Sequence, residues 1–325
     1  MTTSRRTFAA AGLCGGLGAI VAGEMLDGAG FQDRRKAKSR VAIVEADGYD
    51  DSLEDLLLPK IEALAGRLPG RTILLKPNLV EDLPGPVNTN PALVRAAANC
   101  FLQLGAKRVI VGEGPGNQRD TEAVLTSSGF APALGSIGVG FVDLNRDALS
   151  LVKLKTHFSG LKRLWLPQTL LAADFVVSMP KVKTHHWAGA TLGLKNMFGV
   201  VPGSKYGWPK NLLHWHGIDS CVVDIASTVR IDLVIADGIV AMEGDGPLLG
   251  RPRKLQRVVI SDDPVATDAT CARLMGFEPS RIPYLKTAGG FLGNLDGRRI
   301  EFLGAHPVLP NEPFAVLPPF RHLLR

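Results

Sequence analysis

Cysteine is scarce in this chain. Four occur in 325 residues, at Cys14, Cys100, Cys221 and Cys271. No two lie close enough for a C-x-x-C pair, which excludes the common zinc-ribbon and dithiol redox motifs. Cys14 belongs to the N-terminal leader, so an odd three remain and a disulfide framework is not expected. They read as small apolar core residues. A G-x-S-x-G elbow is also missing, so nothing supports a Ser/His/Asp hydrolase. The glycine loop Gly112-Glu-Gly-Pro-Gly116 has neither Walker nor G-x-G-x-x-G spacing. Positive charge in excess is lacking too. The formal charge is +6, but residues 1–40 hold seven basic and three acidic side chains. Without them 30 basic face 28 acidic groups, a balance of about +2, and no basic stripe of the kind that marks a nucleic-acid surface remains. Any basic site must be local.

Long apolar runs are absent as well. The uncharged stretch from Thr7 to Gly23 is rich in Ala and Gly, and too short and weak for a firm membrane span. With Arg5 and Arg6 before it and Phe8 just inside, it reads as an export signal. Ser-Arg-Arg-x-Phe resembles the twin-arginine signal, a receptor-read address. That resemblance implies export of the folded protein by the twin-arginine machinery to the periplasm or cell envelope. Contact with a membrane would then come only through an uncleaved signal. Residues 1–30 are assigned to this signal and 31–40 to a polar linker.

From residue 41 to about 305, short apolar runs alternate with amphipathic stretches. Strands are expected at Val41–Glu45, Arg71–Leu75, Arg108–Gly112, Asp174–Ser178, Asp232–Ala236 and Arg257–Ser261. Helices are expected at Ser52–Ala65, from Asn90-Pro91 to Leu104, over Trp187–Phe198 and Leu212–Val229, and over Pro264–Met275. Asn90 caps its helix with proline in the first turn. Three short strands near 139–167 read as a small antiparallel insertion, and 306–325 as a C-terminal tail. The fold class is therefore α/β: a mostly parallel sheet with helices on both faces, plus that insertion.

Each apolar run ends in polar residues. "ILLKPN" ends in Lys76 and Asn78, and "VIVGEGPG" in Glu113. "FVVSMPKVKTHH" ends in Lys181, Lys183, Thr184, His185 and His186. "LVIADGIVAMEGDGP" carries Asp237, Glu243 and Asp245, and "VVISDDPVATDA" carries Asp262, Asp263 and Asp268. Ligands of open parallel sheets bind outside the strand carboxyl ends, so five loops are expected to converge on one crevice. Lys76, Asn78, Lys181, Lys183, Thr184, Lys195 and Asn196 are the candidate ligand-binding residues for a small phosphate or carboxylate. Glu113, His185 and Asp237 are the candidate catalytic groups, with His185 or Glu113 as general base. Asp237, Glu243 and Asp245 are the candidate oxygen ligands of a divalent cation. His214 and His216 read as core or surface residues.

Taken together, "KPNLV", "GEGPG", "MPKVKTHHWAGATLGLKNMFGVVPG", "DGIVAMEGDGP" and "DDPVATDATCARLMG" resemble the domain-of-unknown-function 362 family, over about Val41 to Gly276. Many of its members carry ferredoxin-like iron–sulfur modules. This chain has no such cysteine cluster, and an iron–sulfur cluster within it is not expected. The resemblance implies fold and site without naming a reaction. An enzyme acting on a small anion, a non-catalytic envelope binding protein and an iron–sulfur-linked redox partner all remain open at this stage.

Overall fold

The structure, a computed structural model, describes residues 33–325 apart from positions 84 and 117. The export signal and Cys14 lie outside the described residues. Twelve strands are seen among them: β1 (Ser39–Glu45), β2 (Thr72–Pro77), β3 (Arg108–Glu113), β4 (Gly140–Asp143), β5 (Leu149–Lys153), β6 (Arg163–Pro167), β7 (Phe175–Met179), β8 (Lys181–His185), β9 (Gly189–Thr191), β10 (Leu233–Glu243), β11 (Arg251–Ser261) and β12 (Ile300–Phe302). The main sheet runs β12-β1-β11-β10-β7-β2-β3-β4, with β8 and β9 hanging from β10. Pairings from β10 through β7, β2 and β3 to β4 are all parallel, while β11 is antiparallel to both β10 and β1.

Alternate residues of each strand feed opposite faces, as a pleated strand requires. Ile73, Leu75, Val109 and Val111 pack under the helices Leu53–Ala65 and Pro91–Gln103. Leu74, Ile110, Val176 and Val234 face the other way, toward the helices Ile218–Thr228 and Pro264–Leu274. Both faces are covered, which is why these strands read as continuous apolar runs. Cys100, Cys221 and Cys271 are buried and unpaired. Asn90 caps its helix as expected, accepting from the Ala92 N–H.

Three expectations are corrected. β4 does not belong to an antiparallel insertion: it follows two short helices, Thr121–Ser127 and Phe130–Gly135, and joins the main sheet parallel to β3. Only β5 and β6 form a separate antiparallel pair. Trp187–Phe198 is not one helix, because Gly189 turns at φ +76° and sends β9 back along β8. A single helical turn, Gly193–Asn196, and a 3-10 turn, Met197–Val200, follow. Leu212–Val229 divides into Asn211–Trp215 and Ile218–Thr228 at Gly217, whose φ is +87°.

The β5–β6 pair is fastened by one buried carboxylate. Asp224, 1% exposed, accepts from the Thr156 and Ser159 hydroxyls and from the Phe158 and Ser159 N–H groups, at 2.6–2.9 Å. Asp224→Ala leaves all four donors without that acceptor. A loss of about 3 kcal/mol or more is expected, read by denaturant unfolding, with Asp224→Asn losing less. Unchanged stability in the alanine variant would show that the clamp contributes nothing.

Candidate functional site

β2 and β3 run parallel, so their carboxyl ends share one edge of the sheet. Lys76 and Glu113 leave those ends side by side and form a buried ion pair. An ammonium has three N–H donors. The other two of Lys76 go to the Pro77 carbonyl at 3.0 Å and Asn196 Oδ1 at 2.9 Å. Glu113 Oε1 accepts from the Gly114 N–H at 2.9 Å. Asn196 spends its amide on the Lys76 carbonyl and Ser178 Oγ, and its oxygen also accepts from Asn78 Nδ2. Lys76, Glu113 and Asn196 thus close on one another as the floor of a site.

The helical turn that carries Lys195 and Asn196 is held from behind. Asp268, fully buried, accepts from the N–H groups of Gly193 at 2.6 Å and Leu194 at 3.0 Å. A Cβ at Gly193 would stand 2.9 Å from that carboxylate. Gly193 brings main chain against Asp268 and Val234 of β10 rather than against the cavity.

A cavity of about 230 Å³ adjoins the floor. Its walls include Lys183, His185, Thr191, Lys195, Lys210 and His214, with apolar surface from Leu79, Val80, Phe198, Pro247 and Leu248. The donor inventory separates the lysines. Lys183 gives two N–H bonds to the Val87 and Pro247 carbonyls, at 2.6 and 3.2 Å. Lys210 gives two to the Gly114 and Gly199 carbonyls, at 3.0 and 2.7 Å. Each keeps one donor. Among the described residues Lys195 has no hydrogen-bond partner; its ammonium lies 4.5 Å from the centre of the Phe198 ring. The Thr191 hydroxyl, 4% exposed, has no partner either.

Burial, reinforced by the neighbouring ammonium groups of Lys195 and Lys181, pulls Lys183 down to about 7. Burial also takes Lys210 to about 7, against the pull of Glu113 and with Lys76 and Lys195 adding to the fall. Burial and Lys76 bring Lys195 to about 8, opposed by Glu113 and Asp219. Charge of one sign is crowded here and only partly answered.

The two histidines take opposite roles. His185 Nδ1 accepts from the Trp187 and Ala188 N–H groups at 3.0 and 3.2 Å. Its proton therefore sits on Nε2, and burial holds the ring well below the ordinary imidazole range. Facing a ligand it is a donor, and the expectation of His185 as general base is corrected. His214 Nδ1 lies 3.1 Å from the Lys210 carbonyl, which can only accept. That fixes the proton on Nδ1 and leaves Nε2 as a lone pair, the tautomer a general base needs.

Of the expected site residues, Lys76, Asn78, Glu113, Lys183, His185, Lys195 and Asn196 gather at this cavity. Lys181 and Asp237 do not: they form a buried pair at 2.5 Å, closed by the Tyr49 hydroxyl and the Val240 carbonyl. Thr184 bonds the Gly244 carbonyl. Glu243 pairs with Arg251 at 2.8 Å and accepts from the Ala315 N–H, pinning the C-terminal segment. Asp245 lies 3.7 Å from His186. Asp237, Glu243 and Asp245 therefore do not form a common ligand set, since each faces a different partner. Among the described residues no group of three or more His, Cys, Asp or Glu is arranged to hold a metal ion. The residues that sequence reasoning missed are Thr191, Lys210 and His214. The one usable signal was the four-residue spacing from Lys210 to His214 across the start of a short helix.

Residues 73–273 match the family model described as domain of unknown function (DUF362), and the chain belongs to that family. A thylakoid-associated protein of Synechocystis sp. is 30% identical over 284 residues, covering 82% of this chain and 84% of that protein. Two solved structures are more distant. A Thermotoga maritima protein has a TM-score of 0.40 at 14% identity, over 64% of this chain and 55% of its own. The lactate racemase apoprotein of Thermoanaerobacterium thermosaccharolyticum has 0.37 at 13%, over 65% and 52%. The chain thus spans little more than half of either.

Gly199 tests the floor. A Cβ there would stand 2.6 Å from Glu113 Oε1 and 2.7 Å from Lys76 Nζ. Gly199→Ala is expected to wedge the pair apart, at about 1–3 kcal/mol, and to lower the melting temperature by several degrees. A variant that melts with the wild type would mean the floor yields freely.

Proposed function

We propose that this chain binds a small, multiply charged anion, a carboxylate or a phosphate, in the lysine-lined cavity, and acts on it by acid–base chemistry at His214. One observation carries the reading. Among the described residues Lys183, Lys195 and Lys210 surround one cavity without an ion-pair partner, and Glu113, the carboxylate that lines the same cavity, is already committed to Lys76. Uncompensated buried charge is expensive, and an anionic ligand answers it. The remaining N–H donors of Lys183 and Lys210, the His185 Nε2–H and the Thr191 hydroxyl supply directional bonds to its oxygens. His214 Nε2 is the acceptor for a proton. Electrostatic stabilisation of developing negative charge comes from the same lysines, so no divalent ion is required by this scheme.

The export reading belongs to the same proposal. It is supported by the Ser4-Arg5-Arg6-Thr7-Phe8 pattern, which points to the periplasm or cell envelope. A relative described as thylakoid-associated accords with work at a membrane system. Among the described residues no helix is long and apolar enough to cross a membrane.

Sulfate, a dianion throughout the relevant range, is the simplest probe. At about a hundredfold excess over its Kd it should add about 2.7 kcal/mol of stability, seen as a rise in melting temperature that chloride at equal ionic strength does not give. Lys183→Met and Lys210→Met should each weaken binding tenfold or more. The pH sign follows from the lysines. Their ligand-free values of about 7 to 8 lie below the ordinary 10.5, and a bound anion raises them. Affinity is therefore greatest below about pH 7 and falls as pH climbs through 7 and 8. An equal sulfate response in wild type and both variants would refute the cradle.

A further inference from the structure

Lys195 differs from its neighbours in a way that anion binding alone does not use. Lys183 and Lys210 are each tethered by two carbonyl oxygens, whereas Lys195 has no hydrogen-bond acceptor among the described residues. Its Nζ rests 4.5 Å over the Phe198 ring, and the His214 ring packs on the same phenyl at 5.3 Å between centroids. An amine free of acceptors, on an apolar surface and beside other cations, is the environment that makes a lysine nucleophilic. The cavity adds a size limit. At about 230 Å³ it exceeds the roughly 150 Å³ that encloses a benzene ring, with room for a small acid and little more.

We propose that Lys195 condenses with the keto group of a small 2-oxo acid to form an imine, while the carboxylate of that acid is held by the free N–H donors of Lys183 and Lys210. The proposal rests on the anion-binding reading above and extends it to a substrate class. His214 Nε2 takes one proton from the Lys195 ammonium. The freed nitrogen lone pair bonds to the carbonyl carbon, and the carbonyl pair moves to oxygen. After proton transfers that include the one His214 holds, the carbon–oxygen bond breaks and water leaves. Ammonium plus ketone gives iminium plus water, balanced in atoms and charge, with no oxidant or reductant. The iminium then withdraws electrons from carbon 3, which eases proton removal there, or loss of carbon dioxide where carbon 3 carries a second carboxylate.

Pyruvate with sodium cyanoborohydride tests this on the full chain, because hydride reduction makes the imine permanent. Peptide mapping by mass spectrometry should locate one pyruvate-derived adduct on Lys195, suppressed by excess sulfate. Lys195→Arg, verified as folded by its melting curve, keeps the cation but cannot condense and should show no adduct at that position. Adducts scattered over exposed lysines, alike in wild type and variant, would overturn the proposal. So would no adduct at all while pyruvate and sulfate both raise the melting temperature; in that case the anion site stands and the imine falls. If neither anion shifts the melt and no adduct forms, both readings fall together.

Discussion

Buried lysine ammonium groups outnumber the carboxylates that answer them, and the rest of the site follows from that imbalance. Taking an ammonium out of water costs several kcal/mol even after relaxation. The fold pays this cost in two ways. Lys76 and Lys181 are neutralised locally, by Glu113 and Asp237. Among the described residues Lys183 and Lys210 bond carbonyl oxygens and Lys195 rests on a ring face, none of them in an ion pair with a carboxylate. Partial dipoles offset part of a desolvation penalty without cancelling charge. What is left is a local positive potential in a cavity with apolar walls, where field lines are little screened and an incoming anion meets most of the force.

Scaffold and site are joined through groups that hold both. The parallel order of β7, β2 and β3 sets Ser178, Lys76 and Glu113 along one edge. Asn196 bridges that edge by bonding the Lys76 carbonyl and Ser178 Oγ together. Asp268, pushed up to about 8 by burial, fixes the turn on which Lys195 and Asn196 stand. The long β10–β11 arm supplies the facing wall through Pro247 and Leu248. Rigid elements on three sides hold the lysines at a spacing they would not choose for themselves. On the proposed reading, this is stability given up in favour of anion binding.

Much of this was legible from residues alone. Strand runs flanked by helical stretches specified the doubly covered sheet, and the rule that ligands meet strand carboxyl ends brought Lys76, Glu113, Lys183 and Lys195 to one place. The failures have physical causes. Asp237 was expected at a strand end like Glu113, but β10 continues past it to Glu243, and β8 runs alongside and puts Lys181 within 2.5 Å of it. That pairing depends on a register which sequence does not specify. The stretch 187–198 has helix-like composition, and one glycine at positive φ converts it to a hairpin. Lys210 and His214 lie more than ninety positions after Gly114, whose carbonyl Lys210 reaches. Histidine roles were also beyond reach, since the tautomer is set by which nitrogen meets a backbone N–H and which meets a carbonyl.

Proton linkage probes the charge imbalance most directly. Calorimetric titration with sulfate at pH 7.5, repeated in buffers of different ionisation enthalpy, counts protons exchanged on binding. Lysines held near 7 to 8 in the empty site should fill as the anion enters, and uptake of about one proton or more per sulfate is expected. Binding with no proton uptake, or with proton release, would contradict the claim that uncompensated lysines form the site.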